Sequence, residues 1–317
     1  MKNLLLLTFL VHFTFSSAEA ANSLVASIKF ASLEKAQSLL SQEDDFTQSW
    51  SSFDINARMH EKNSTKAELF DFIAKQARGW TEDEKNRIKA VCESIAGRIE
   101  RQGFSIDFPE EIYFVKTTAK EEGSAAGYTR AQLIVLKESL LSQSVEELEH
   151  LVIHELFHVL TRNNPEFREE MYSLIGFSLM NAVEYPESIS SLRITNPDAP
   201  QTDSYIKLKA QDREVECLMI LYSEKKYKKG EFFDYLNVGF LSLTGDSVKS
   251  VEYKKGEPII YGFHEVEGFY DQVGRNTNYI IHPEEIMAEN FSLAILDKTE
   301  VANPDVVKKV KAVLKGE

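Results

Sequence analysis

The sequence predicts an α+β fold, and three observations carry that reading. Two segments open with capping boxes, Thr81-Glu82-Asp83-Glu84 and Ser144-Val145-Glu146-Glu147, and each continues with apolar residues at helical spacing. Two stretches between them, 110–118 and 127–137, are rich in β-branched and aromatic residues and read as strands. A run of strand and turn patterns from about 186 to 280 then separates the second box from a helix opened by Pro283.

Taken in order, the first 20 residues stand apart. Lys2 precedes an apolar run from Leu4 to Phe15 and small residues ending Ala18-Glu19-Ala20, which reads as a secretory leader with cleavage after Ala20. The run is too short for a permanent membrane anchor, and no later segment approaches 18 continuous apolar residues. No cysteine near the cleavage site invites lipid attachment. The expectation is an exported bacterial protein, periplasmic or extracellular, with no integral membrane segment after processing.

Residues 21–105 read as a helical N-terminal region. Its clearest helix follows Thr81 and carries Ile88, Val91, Cys92, Ile95 and Ile99 on one face until Gly103 stops it. Residues 106–317 form the remaining domain. In its first strand Ile112 and Phe114 alternate with Tyr113 and Val115, and the Gly-Ser-Ala-Ala-Gly segment at 123–127 is a flexible connection. A helix is expected from Val145 to about Thr161, and Pro165 starts another through residues 166–183. The stretch from about 186 to 280 is a β-rich insertion. Asn303-Pro304-Asp305 caps a last helix that ends at Gly316.

The formal charge is −14, and one Lys and one Glu in the leader cancel on processing. So acidic a chain repels phosphate backbones, which argues against nucleic acid as a partner. Two cysteines, Cys92 and Cys217, permit at most one internal disulfide, and the helical spacing around Cys92 equally suits a buried thiol.

Within the helix after Ser144 lies "IHELFHVLTR", residues 153–162. His154 and His158 are four apart and share a helix face, so both imidazoles can reach one ion. Glu155 is rotated off that line, able to reach an activated water without binding the ion itself. Apolar neighbours on nearly every other face make this a buried central helix. His150 and His158 stand two turns apart, about 12 Å, and cannot share an ion; His150 is a cleft-wall or hydrogen-bonding residue. Two buried histidines can also serve as plain hydrogen-bonding groups with no metal, and H-E-x-x-H arises by accident in on the order of a per cent of chains this long. The capped helix, the strands before it and the downstream acids weigh against that. Thr161 and Asn164 break the continuation H-E-x-x-H-x-x-G-x-x-H and exclude a metzincin. The candidates for a third ligand are His264, His282, Glu284, Glu285 and Glu289, of which Glu285 and Glu289 share a face.

With H-E-x-x-H at 154–158 and E-I-M-A-E at 285–289, the chain resembles the gluzincins, a superfamily of zinc metallopeptidases that includes thermolysin-like and CAAX-processing proteases. The resemblance covers the two helices and the strands at 110–137, about a quarter of the chain. It implies a zincin-like metallopeptidase fold, one zinc ion held by His154, His158 and Glu285, and Glu289 as the acid that orients a ligand histidine. The family usually carries Asp at that last place. The resemblance further implies that the strand at 128–136 edges the cleft and pairs with a peptide or protein substrate. Peptide hydrolysis would use a zinc-activated water with Glu155 as general base. For the donor to the developing oxyanion, the family's use of Tyr or His points to the stretch before Glu285, where Tyr270, Tyr279, His264 and His282 lie; Tyr279 is the choice. A G-A-M-E-N motif is missing, which leaves endopeptidase and carboxypeptidase open. The alternative from another class is a non-catalytic zincin-like domain that binds protein through its cleft. Retention of Glu155 favours the enzyme.

Overall fold

The computed structural model describes residues 16–317, and the apolar run of the expected leader lies outside the described residues. The chain is a mixed α/β fold built on two larger sheets, with a third of two short strands. The N-terminal region supplies α1 (Ser17–Ser27), α2 (Leu33–Leu40), α3 (Asp45–Gln48), α4 (Ser52–Met59), α5 (Lys66–Gln76) and α6 (Glu82–Gln102). It also supplies two short strands, β1 (Ile28–Phe30) and β2 (Ala77–Arg78), and both pair with β3 (Ile112–Thr117). Strands from before residue 105 thus complete a sheet that begins after it.

Helix α1 contains Ala18, Glu19 and Ala20, the expected cleavage site. Ser16 and Glu19 cap it reciprocally at 2.8 and 3.2 Å, and Ala20 and Leu24 are fully buried where α1 packs on α6. Cleavage after Ala20 would remove the cap and first turn of a packed helix. Among the described residues, no helix is long and apolar enough to cross a membrane.

The first sheet runs β1-β3-β5-β4, where β4 (Gly127–Arg130) and β5 (Leu133–Lys137) form an antiparallel hairpin. The sequence pattern of 127–137 suggests one strand; the chain instead reverses at Ala131-Gln132, with Ala131 at φ +48°. Continuous β character hides a two-residue turn when neither turn residue is Gly or Asn. Strand β5 is buried on both faces. Ile134 and Leu136 join the core formed by α6 and the helices behind it, while Leu133 and Val135 pack under α2 and α5. This double burial fixes the sheet firmly beneath the next helix.

That helix, α7 (Val145–Asn163), starts at a reciprocal Ser144–Glu147 box with distances of 3.1 and 3.2 Å. Its buried Glu149 accepts from Arg98 Nε and Nη2 at 3.1 and 3.0 Å and from Ser94, which locks α7 against α6. Helix α8 (Pro165–Ser173) is shorter than the expected run to 183. Gly176 takes φ +81°, a conformation a helix cannot contain, and β6 (Phe177–Leu179) follows. The β-rich part therefore starts earlier than about 186.

Its sheet orders β10-β9-β8-β7-β6, with β7 (Ser204–Ala210), β8 (Arg213–Tyr222), β9 (Asn237–Thr244) and β10 (Ser250–Val251) in antiparallel register. Two short helices, α9 (Glu187–Ser190) and α10 (Phe269–Val273), interrupt it. The chain closes with α11 (Pro283–Ile295) and α12 (Pro304–Lys315). Asn303 precedes α12 but makes no side-chain cap; its Oδ1 accepts from the Arg275 N–H at 2.7 Å, because the neighbouring loop offers a closer donor. Cys92 and Cys217 are both free and buried, one on α6 and one on β8, so the buried-thiol reading holds and there is no disulfide.

Candidate metal centre

Helices α7 and α11 cross with their polar residues face to face, and the sequence explains why each can be polar there. His154, Glu155 and His158 follow one another along the buried side of α7 with 8, 3 and 1 % exposure. Pro283 sits at the first position of α11, where its missing N–H costs nothing. The two acids after it therefore lie in the first helical turn, where the helix dipole favours negative charge.

Glu285 Oε2 lies 3.0 Å from His154 Nε2 and 3.5 Å from His158 Nε2. These three residues form a buried group whose ligand atoms all fall within 4.8 Å of one another and could hold a metal ion. Each imidazole is held from behind by a carboxylate. His154 Nδ1 is 3.0 Å from Glu289 Oε1, and His158 Nδ1 is 3.0 Å from Glu284 Oε1. With a cation at the centre, those carboxylates would keep the ring protons on Nδ1 and leave both Nε2 lone pairs to the common point. His158 Nε2 is buried without a hydrogen-bond partner. An orphaned imidazole nitrogen beside a carboxylate and a second nitrogen fits a cation, and the N,N,O donor set suits zinc.

The electrostatics agree with the geometry. Burial opposes ionisation of Glu284, yet the hydrogen bonds from His158, Thr161 and Tyr172 hold it below the ordinary carboxylate range. Burial likewise opposes the charge on Glu289, but hydrogen bonds from His150 and His154 bring it down to about 2. His154 rises to about 9 in spite of burial, through its hydrogen bonds to Glu285 and Glu289. A pocket that holds protons this well favours any cation at its centre, so a metal ion binding there must displace them.

Glu284 is the residue that sequence reasoning missed. It entered only as one of several possible ligands, whereas it accepts from His158 Nδ1, from Thr161 Oγ1 at 2.5 Å and from Tyr172 OH at 2.6 Å. The signal available was a second acid beside Glu285 on the first turn of a buried helix. Of the other candidates, His282 caps α11 by accepting the Glu284 N–H on Nδ1 at 3.2 Å, and burial lowers it to about 4. His264 is exposed on a short 3₁₀ turn, and Tyr270 stacks over Arg275 at 4.0 Å; neither lines the cleft.

The metal group opens into a cleft of about 650 Å³ whose lining includes His150, Glu155, Asp198 and Tyr279. Tyr279 stands at its mouth, 44 % exposed, with its ring centroid 6.3 Å from that of His154. His150 also lines the cleft, and its Nε2 lies 3.3 Å from Glu289 Oε1. Glu155 Oε2 is buried with no partner, and burial, followed by the nearby Asp198 carboxylate, raises its pKa. Asp198 arrives on a loop of the β-rich part and accepts from Thr129 N and Oγ1 at 2.6 and 2.7 Å. Arg193, on the same loop, turns away to Pro200 O at 2.6 Å and the Tyr185 ring at 4.8 Å.

Gly127 of β4 allows this close approach. A Cβ there would stand 2.7 Å from Glu155 Oε1 and 3.3 Å from Leu151 Cδ1, and Glu155 is too buried to step aside freely. We expect Gly127→Ala to fold and retain metal but to lose at least about tenfold in any activity that uses Glu155, since ångström displacements of catalytic groups cost on the order of 10²-fold. Measuring kcat/KM beside metal content checks this, and an unchanged rate would free Gly127 of the role.

Comparisons with known protein families, with curated proteins and with solved structures find no match, so the functional reading stands on the chain's own residues.

Proposed function

We propose that the protein is an exported, gluzincin-like zinc metallopeptidase with a zincin-like fold that hydrolyses peptide bonds. The observation that carries this is a single arrangement. His154 Nε2, His158 Nε2 and Glu285 Oε2 converge on one point, and the unpartnered Glu155 carboxylate stands beside it in an open cleft. A structural salt-bridge cluster has no need of that carboxylate, and its burial there is costly.

Zinc, when bound, supplies Lewis acidity that brings water deprotonation to near neutral pH and polarises a carbonyl. The remaining work falls to the chain. The Glu155 carboxylate takes the proton of the attacking water and hands it to the leaving amine, and a cation bound at the neighbouring group favours its ionised, proton-accepting form. Glu289 and Glu284 hold the two imidazoles in the required tautomer. Tyr279, which lines the cleft, is the proposed hydrogen-bond donor to the developing oxyanion. Although the residue as a whole is 44 % exposed, desolvation and then the carboxylates of Glu285 and Asp198 raise the hydroxyl well above the ordinary tyrosine pKa.

Strand β4 is the edge of its sheet and borders the cleft at Gly127. The Thr129 N–H points away from β5 to Asp198, so by antiparallel alternation Gly127 also turns its N–H and C=O outward. An extended peptide can pair with those groups. The test is metal content of the purified chain and of His158→Ala, by elemental mass spectrometry. About one zinc per wild-type chain and little in the variant is the expected result; no zinc in either, after zinc is supplied and free metal removed, withdraws the reading.

A further inference from the structure

We propose that Asn196 is a positioning residue for the metal centre, and that α4 of the N-terminal helical region anchors the start of its loop, while Thr129 and Arg162 hold the residues that follow it. This rests on the zinc reading above and extends it to a part of the chain far from both metal-binding helices in sequence. Glu285 has three side-chain torsions, and its carboxylate must present Oε2 to both imidazoles at once. Its other oxygen, Oε1, accepts a hydrogen bond from Asn196 Nδ2 at 2.6 Å. The amide orientation follows from its second bond: Asn196 Oδ1 accepts from the Asp198 N–H at 3.1 Å, which leaves Nδ2 facing the carboxylate. Asn196 therefore fixes Glu285 as Glu289 fixes His154 and Glu284 fixes His158. All three metal-facing side chains then have a dedicated partner.

The start of the loop that carries Asn196 is anchored by α4. Asp54 accepts from Thr195 N at 3.0 Å and Thr195 Oγ1 at 2.8 Å, and Arg58 donates to Thr195 O at 2.9 Å. Arg58 also donates to Asp54 at 2.6 Å and to Glu122 at 2.8 and 3.0 Å, and all three charged side chains are almost fully buried. Ser51 Oγ adds a bond to Arg193 O at 2.6 Å. A buried, fully paired network of this kind is rigid and intolerant of partial removal. Through these bonds α4 of the N-terminal region takes part in holding the metal centre's surroundings.

The test measures zinc affinity by chelator competition for wild type, Asn196→Ala, Glu285→Gln and the double variant, with thermal melts alongside. Asn196→Ala is expected to weaken zinc binding about tenfold or more, in the range usual for partners of metal ligands. In the Glu285→Gln background the same change is expected to add little, because its effect runs through the carboxylate. A merely structural role would instead give additive losses that track the melting temperature. Asp54→Asn, the milder change in the anchor, is expected to raise amide hydrogen exchange at Thr195 and Asn196 and to lower zinc affinity in the same direction. Undiminished zinc affinity in Asn196→Ala, or additive losses, overturns the proposal while leaving the zinc reading intact. A wild type that binds no zinc overturns both.

Discussion

Glu155→Gln is expected to keep its zinc and lose peptide hydrolysis by about 10²–10⁴-fold, the usual contribution of a general base. The amide has nearly the same shape as the carboxylate, so the cleft and the metal group are undisturbed, but it cannot accept the proton of the attacking water. The same substitution is expected to leave the melting temperature unchanged or higher. Glu155 is 3 % exposed, with one oxygen unpartnered and Asp198 close by, so its charge opposes folding. A residue that costs stability and whose loss abolishes turnover is characteristic of a catalytic site. Peptide-library cleavage, metal analysis and a thermal melt on the two proteins decide it. Persistent hydrolysis would show the base to be another group. A wild type that binds zinc and peptides without cutting them would favour the non-catalytic binding domain.

Adjacent glutamates on α11 should separate cleanly. Glu285→Ala removes the only carboxylate in the metal group and is expected to weaken zinc binding by well over tenfold with little change in fold. Glu284→Ala leaves His158 Nδ1, Thr161 Oγ1 and Tyr172 OH facing an empty buried position. That should cost about 3 kcal/mol or more of stability, at roughly 1–3 kcal/mol for each unsatisfied buried group. Zinc affinity in that variant should fall less than in Glu285→Ala, since a lost supporting partner usually weakens metal binding by about 10–100-fold. Chelator competition and denaturant unfolding, run on both variants, give opposite rank orders if the assignment is right. Equal losses of zinc would mean that the wrong register on α11 was chosen.

How much of this site is legible before any coordinates exist depends on how far its determinants reach along the chain. The caps at Ser144 and Thr81, the stop at Gly103 and the helix start at Pro283 are local, set by backbone groups within one turn of the residue concerned. So is the pairing of His154 with His158 on one face. Other features have no local signature. The turn at Ala131-Gln132 escapes a pattern search because its residues are ordinary, and the end of α8 escapes it because apolar residues continue past Gly176 into β6. The roles of Glu284 and Glu285 differ only through the crossing of α7 and α11. Two neighbouring residues about 100° apart on one helix meet different atoms of the opposing one.

From its sequence alone this protein declares a buried helix with two imidazoles and an acid, a later helix with carboxylates on its first turn, and an acidic body. Those follow from periodicity, capping and charge, which are properties of short segments. Only the tertiary structure decides which carboxylate meets which nitrogen, that Asn196 and Asp198 return from the β-rich part to the site, and that α4 anchors the start of their loop. Hydrogen bonds between residues about 90 to 140 positions apart, such as Asn196 to Glu285 and Asp54 to Thr195, depend on how several packed elements stack. No segment encodes that stacking by itself, because each of those contacts is specified jointly by everything packed beneath it.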